Sequence, residues 1–182
     1  MPPGTGLESP APVTSAMDRK AWLARVEVHD ASVQSAIEDN LTANLLEYLR
    51  EGNHFRDVDL LTGKIGADDL VLRFRFDRYR QTRSPHPAYF PAAIATLTLY
   101  IWFGGPIFTD SSDLSGSLSV ENASGSSMVK VEAQINEDRN VSIWSQEYVF
   151  PSGLKARSAF IRDLLDQAIA QLQRDRKGGK RP

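Results

Sequence analysis

The chain has 182 residues, of which 41% are hydrophobic and 24% charged, and its formal net charge at pH 7 is -2. This length and apolar content suit one compact domain with a sizeable core. A net charge so close to zero gives no electrostatic footprint for nucleic acid, so we expect no nucleic-acid partner. The absence of cysteine excludes disulfides, thiolate metal sites and cysteine nucleophiles.

The two ends of the chain differ in composition from its middle. Residues 1–19 are rich in Pro, Gly and Ser and are predicted to be a flexible tether. Residues 20–175 are predicted to form a single α+β domain, and the basic residues 176–182 a flexible tail. The first residues have neither a basic nor an apolar leader region, and we interpret Met1 as replacing a leader that was removed.

In the first half of the chain, residues 21–30 alternate between apolar and polar side chains as a strand does. Apolar residues four apart then predict a helix over residues 32–51, which ends at Gly52. Residues 55–61 are predicted to form a short strand. Residues 70–77 are predicted to form a half-buried strand that ends before the SPHP stretch.

In the second half, three alternating runs at residues 114–121, 128–136 and 141–150 predict an antiparallel meander. The EDRN residues 137–140 are predicted to form the turn between the last two strands. Apolar residues at helical spacing predict a final amphipathic helix over residues 155–174.

These elements predict an α+β fold. The sheet is expected to be mixed or antiparallel, with about five to six strands packed by two amphipathic helices. The element order is β-α-β-β, then an inserted apolar segment, then β-β-β-α.

The inserted apolar segment, residues 88–108, reads AYFPAAIATLTLYIWFGGPIF and contains no charged residue. Pro91 near its start and Gly104, Gly105 and Pro106 near its end leave about a dozen unbroken apolar residues. A membrane-spanning helix needs about 20, so the sequence does not predict a span.

Three interpretations of this segment stay open. It is a buried core element, or an exposed surface that docks on a partner protein or dips into a membrane interface. Because apolar residues alternate with Thr, Tyr and Trp, it is alternatively one strand of a hairpin over residues 94–121 in an oligomeric outer-membrane pore or secretion channel. The candidate interaction residues are Tyr89, Phe90, Leu97, Leu99, Tyr100, Ile101, Trp102, Phe103 and Phe108.

The polar face of the strand predicted at residues 70–77 is basic, and arginines follow it. A solvated face partly neutralised by nearby acids is one interpretation, and contact with an anion or a phospholipid headgroup is the other. The candidate residues for that contact are Arg73, Arg75, Arg78 and Arg80.

The sequence contains no G-x-S-x-G, H-E-x-x-H or P-loop motif. Its three histidines are scattered, and two acidic pairs, at residues 68–69 and 137–138, lack an evident third metal ligand. We therefore expect no enzymatic activity, no cofactor and no metal site, and an uncharacterised enzyme is the second alternative.

The segments ARVEVHDA, EYLREGNHF, ADDLVLRFRF, VKVEAQIN and VSIWSQEYVF, followed by an amphipathic helix, resemble a known architecture. Over about residues 20–175, the chain resembles small Gram-negative envelope lipoproteins whose domain is similar to the CsgG, LpoB and TolB N-terminal folds. The resemblance implies a periplasmic accessory protein tethered to the outer membrane by a lipid on a cysteine, which this chain lacks. A cytoplasmic location is the alternative.

Together these points predict a non-enzymatic accessory or adaptor domain of the cell envelope. We expect it to dock through residues 88–108 on an envelope protein, on another copy of itself or on a membrane surface.

Overall fold

A six-stranded sheet is the frame of the computed structural model, which describes residues 6–10, 17–30, 35–96, 98–148 and 153–178. The strands are β1 Met17–Leu23, β2 Glu27–Val28, β3 Phe55–Leu60, β4 Leu70–Pro85, β5 Phe108–Asn122 and β6 Ser127–Val141. The helices are α1 Ser35–Glu51, α2 Tyr89–Ala95, α3 Leu99–Trp102 and α4 Gly153–Gly178, with a 3-10 turn at Gln146–Tyr148.

The strand order is β3-β1-β4-β5-β6, and β2 pairs with β4 beyond the end of β1. β1 is parallel to both β3 and β4, because α1 provides the long crossover connection that a parallel pair requires. β4, β5 and β6 are antiparallel neighbours. The predicted α+β class, with a mixed sheet of six strands and two long amphipathic helices, is confirmed.

The core lies between one face of the sheet and the two long helices. α1 contributes Leu41, Leu45 and Leu49, four residues apart as predicted, and each is at most 2% exposed. α4 contributes Phe160, whose ring centroid lies 5.4 Å from that of Phe76 on β4. Burial of these side chains is the main stabilising contribution to the fold.

A β-bulge lies between Phe76 and Arg78 of β4 and changes which residues face the core. Phe76 and Tyr79 are both buried as a result, with their rings edge-to-face at 5.4 Å. Gly116 lies opposite the bulge, where a Cβ would clash with the carbonyl oxygen of Arg75. Beyond the bulge, β4 continues to Pro85, eight residues past the end predicted at residue 77, because β5 pairs with it along its whole length.

β6 runs through the residues predicted to form a turn, so that prediction is wrong. Residues 137–140 lie inside the strand, paired with residues 109–112 of β5. The charged residues are compatible with a strand, because Glu137 accepts a hydrogen bond from Arg139 at 3.0 Å. Residues 142–148 form turns rather than a third meander strand, and residues 149–150 lie outside the described part of the chain.

Two other element bounds differ from the sequence prediction. The strand predicted over residues 21–30 is split, because Leu23 and Ala24 are both buried and the alternation changes sides between β1 and β2. α4 ends at Gly178, so its backbone remains helical over the first three residues of the predicted flexible tail. Residues 32–34 of the predicted first helix and 179–182 of the tail lie outside the described residues.

Residues 6–10, within the predicted tether, pack against α4. The Nε of Arg157 donates to the carbonyl oxygen of Gly6 at 2.9 Å, and the amide of Glu8 donates to Ser158 Oγ at 2.7 Å. Leu7 packs against the core. Burial lowers the pKa of the Arg157 guanidinium, which also donates to Gln81. This part of the predicted tether is therefore fastened to the domain, whereas residues 1–5 and 11–16 lie outside the described part.

His54 is buried at the end of α1 and gives a pH-dependence prediction. It is 3% exposed, and neither ring nitrogen has a hydrogen-bond partner among the described residues. Burial lowers the pKa of His54 from 6.5, against a weaker opposing effect of Asp166. The unfolded state therefore binds a proton at a higher pH than the folded state, and the free energy of unfolding falls as pH falls below about 6.5.

We expect the melting temperature of the protein to fall between pH 7 and pH 5, and the variant His54→Leu to lose much of that dependence. Thermal unfolding followed by circular dichroism at each pH measures both. An identical pH dependence in the two proteins would contradict the assignment of this effect to His54.

Candidate functional site

Residues 88–108 form a cap over the end of the sheet where β4 ends and β5 begins. Neither α2 nor α3 contains a buried residue, and in the described part of this segment only Ile107 is buried. The interpretation as a core element is therefore wrong. The hairpin over residues 94–121 is also wrong for this structure, because α2 and α3 are helical and β5 begins only at Phe108.

Large apolar side chains of the cap and of the neighbouring turn project into solvent. Phe103 is 86% exposed, Ile94 76% and Trp102 65%. Exposed apolar residues are ordinary when scattered, but a group of them at one end of a molecule indicates an interaction site. We call this group the end patch; its members are Phe90, Ile94, Leu99, Trp102, Phe103 and Trp144.

Trp144 belongs to the end patch although it was not a candidate from the sequence. Its ring centroid lies 6.2 Å from that of Trp102, and its Nε1 donates to the Trp102 carbonyl oxygen at 3.2 Å. The sequence interpretation placed it in a third meander strand. Trp144 lies beside the cap because β6 extends to Val141 and the chain turns there.

Backbone turns set which side chains of the cap face outward. Thr98 has a φ of 74° in the left-handed region and redirects the chain between α2 and α3. Gly104, with φ 82°, ends α3, and Gly105 lies so close to the Tyr100 ring that a Cβ would clash with it. Tyr100 is thereby turned inward, where its hydroxyl donates to the Pro106 carbonyl oxygen at 3.2 Å.

Nine backbone amides of the cap donate to acceptors within the cap. The amide of Thr98 donates to Ala93 O at 2.8 Å, and the amide of Tyr100 donates to Thr96 Oγ1 at 2.9 Å. Removing such a backbone from water costs little, because no bond to water has to be replaced. Amide donors bonded within the cap belong to Ala92, Thr96, Thr98, Leu99, Tyr100, Ile101, Phe103, Gly104 and Gly105.

The structure divides the predicted interaction residues into two sets. Phe90, Leu99, Trp102 and Phe103 lie in the end patch. Tyr89, Ile101 and Phe108 line a pocket beneath it together with Phe90, and Tyr100 supports the cap from inside. Leu97 lies outside the described residues.

The pocket beneath the end patch has a volume of about 430 Å³. Two aromatic rings, those of Phe108 and Tyr148, pack at the edge of the pocket with their centroids 6.4 Å apart. The Arg83 guanidinium lies over the Phe108 ring at 5.5 Å. The lining residues are Pro85, Tyr89, Phe90, Ile101, Ile107, Phe108, Ile143 and Tyr148.

Two pairs of opposite charges lie near this end of the sheet. Arg83 donates twice to Asp110, at 2.5 and 2.7 Å, and Asp110 is 5% exposed. The hydrogen bond to Asp110 raises the pKa of the Arg83 guanidinium. With Arg139 paired to Glu137 as well, these charges contribute no net charge beside the end patch.

The basic stripe, made of Arg73, Arg75, Arg78 and Arg80, lies on the face of the sheet that points away from α1 and α4. Arg73 donates to both oxygens of Glu121 at 3.0 Å, and Arg75 donates to Asp77 at 3.0 Å. Arg78 lies 3.7 Å from Asp113 of β5. Arg80 is exposed and lies opposite Asp113 in the β4–β5 pairing. This arrangement is a solvated face with nearby acids, and contact with an anion or headgroup stays a prediction.

Metal sites and membrane-spanning helices are two further features to consider in the described ranges. Within those ranges, no group of three or more His, Asp or Glu side chains could hold a metal ion. No helix there is both long enough and apolar enough to cross a bilayer.

The comparisons with known proteins yield only distant structural likenesses. No family model and no curated protein matches the chain. A PelC dodecamer from Paraburkholderia phytofirmans is 10% identical, with 90% of this chain and 94% of that chain covered and a TM-score of 0.45. A minor lipoprotein from Acinetobacter baumannii is 14% identical, with 88% and 91% covered and a TM-score of 0.33.

An uncharacterised lipoprotein B from Nitrosomonas europaea is 8% identical, with 92% of this chain and 87% of that chain covered and a TM-score of 0.35. Two of these three structures are described as lipoproteins. All these TM-scores are too low to assign a family or a function. The similarity to CsgG, LpoB and TolB stays a prediction.

Proposed function

We propose that this protein is a non-enzymatic accessory or adaptor domain of the bacterial cell envelope that docks on a lipid membrane surface through the end patch. The observation that carries the proposal is the exposure of six large apolar side chains at one end of the molecule. The envelope location comes from the sequence resemblance.

A lipid surface suits the end patch better than a protein partner does. Protein interfaces carry about one hydrogen bond per 100–200 Å², and so they need free donors and acceptors on both sides. Nine amide donors of the cap are bonded within it, as lipid-exposed backbone must be. Trp102 is 65% exposed, and Trp side chains favour the headgroup level of a bilayer.

The dimensions of the cap restrict it to the membrane interface. α2 has seven residues and α3 four, so at about 1.5 Å per residue each is far shorter than the hydrocarbon core of about 30 Å. Inserting about 400 Å² of apolar surface would stabilise the bound state by about 10 kcal/mol at 25 cal/mol per Å². Association costs of at least about 4 kcal/mol reduce that gain.

The neutral end patch predicts the lipid and salt dependence of binding. We expect the protein to float with vesicles of pure phosphatidylcholine, and to do so equally at low and at high salt, since burial of apolar surface is not screened by ions. Flotation in a sucrose gradient at both salt concentrations is the test.

Two results would contradict this proposal. Binding only to anionic vesicles, lost at high salt, would assign the contact to the basic stripe of Arg73, Arg75, Arg78 and Arg80. A stable dimer by light scattering, with no flotation, would make a second copy of the chain the partner of the end patch.

A further inference from the structure

We propose that the pocket beneath the end patch is a binding site for one fatty acyl chain. The inference deepens the proposed function and rests on it in one respect, because the pocket opens in the surface that we place against a bilayer.

The lining of the pocket selects an apolar ligand. It consists of aliphatic and aromatic side chains, with the Tyr89 and Tyr148 hydroxyls as its polar side-chain groups. A polar ligand would lose hydrogen bonds to water that this lining cannot replace. A peptide strand would meet the same difficulty with its backbone, so the lining favours a hydrocarbon chain over a segment of another protein.

The volume of the pocket suits a single chain. A methylene group occupies about as much space as a water molecule in the liquid, roughly 30 Å³. A volume of about 430 Å³ therefore holds on the order of a dozen carbons. This is most of one common acyl chain and less than a complete two-chain phospholipid.

The exposure of the lining residues gives the direction of entry. Ile107 is 8% exposed and forms the closed side, next to the strand ends. Phe90, which belongs to the end patch, is 62% exposed, so the pocket opens on that side. A chain entering from the membrane side would therefore leave its headgroup outside the pocket.

The charges at the margin do not select the headgroup. Arg83 stacks over Phe108, but its charge is balanced by the buried Asp110. A free fatty acid and one chain of a phospholipid thus share the chemistry that the pocket recognises, and an experiment has to distinguish them.

Binding of cis-parinaric acid, a fluorescent fatty acid, below its micellar concentration and without vesicles tests the site. We expect saturable binding of one molecule per chain. Ile101→Trp fills the pocket and should weaken binding at least tenfold, and Ile143→Trp does so from the other wall in case the first variant disturbs the cap. Leu60→Trp makes a comparable change on an exposed residue of β3, outside both the pocket and the end patch, and should bind as the wild type does.

Displacement distinguishes the sources of the chain. Release of parinaric acid by palmitate but not by lysophosphatidylcholine indicates a free fatty acid, whereas release by both indicates that a phospholipid chain is also accepted. Non-saturable binding, release by neither compound, or equal binding by wild type and both pocket variants would overturn the site.

The two proposals can fail separately. Parinaric acid binding with no flotation on vesicles would leave the pocket and remove the docking function. Flotation of wild type and Ile101→Trp alike, with no parinaric acid binding by either, would leave the docking function and overturn the acyl-chain site.

Discussion

Leu99→Asp is expected to abolish flotation of the protein on phosphatidylcholine vesicles and to leave a folded protein. Leu99 is 55% exposed in α3, so a carboxylate there remains hydrated in the free state and must be desolvated on docking. On insertion scales Leu and Asp differ by about 3 kcal/mol inside the apolar layer, which corresponds to roughly a hundredfold loss of binding. Trp102→Asp should have the same consequence.

Met128→Asp is the matched control for this pair of variants. Met128 is 41% exposed and lies at the start of β6, the end of that strand remote from the cap. Its change should leave flotation unaffected. Loss of cooperative unfolding in Leu99→Asp would contradict the account, because it would make the segment part of the core.

Phe160→Ala is expected to lower the free energy of unfolding by about 3–5 kcal/mol, the range for deleting a buried aromatic ring. Phe160 is 0% exposed and packs on Phe76 in the centre of the core. Truncation to Ala removes the ring contact with Phe76 and leaves a cavity between α4 and the sheet. Urea denaturation followed by circular dichroism measures the loss.

Phe103→Ala makes the same truncation in the end patch and should change the free energy of unfolding by less than about 0.5 kcal/mol, because Phe103 is 86% exposed. It should nevertheless weaken flotation. Equal destabilisation by the two Phe-to-Ala changes would show that Phe103 is packed against the domain and would remove the basis for the end patch.

The parts of the fold predicted from the sequence are those where one periodicity holds over many residues. The spacing of Leu41, Leu45 and Leu49 fixed the buried side of α1 because a helix returns to one face about every four residues. Alternation along residues 70–76 likewise identified the buried side of β4. These signals depend only on local backbone geometry.

The bounds of β4 and β6 were mispredicted because pairing partners determine them. The EDRN stretch is turn-prone, but pairing with β5 keeps it extended within β6, and the same pairing carries β4 past residue 77 to Pro85. Inner-face charges such as Asp110 and Arg83 are tolerated because they neutralise each other, which a single strand's pattern does not reveal.

The sequence did not predict whether residues 88–108 are buried or exposed, for a different reason. An uncharged aromatic segment has the same composition in a core and on a docking surface, so composition alone left three interpretations open. The structure excludes the core interpretation because β4 ends where β5 begins, so no sheet face is left for the segment to cover. Thr98 in the left-handed region then makes two short helices of it, which no residue pattern indicated.

The positions of the tryptophans allow the docking geometry to be measured directly. Trp102 lies in the end patch, whereas Trp22 pairs with Val71, fourteen residues along β4 from Pro85 and so about 45 Å away along the strand. Two single-tryptophan proteins are needed, one retaining Trp102 and one retaining Trp22, with Phe at the other two positions.

The decisive measurement is quenching of these single tryptophans by vesicles of brominated phosphatidylcholine. If the end patch docks on the membrane, Trp102 fluorescence shifts to shorter wavelength and is strongly quenched, while Trp22 is unaffected in a protein that still floats. Unquenched Trp102 in a vesicle-bound protein, or equal quenching of both tryptophans, would contradict docking through the end patch.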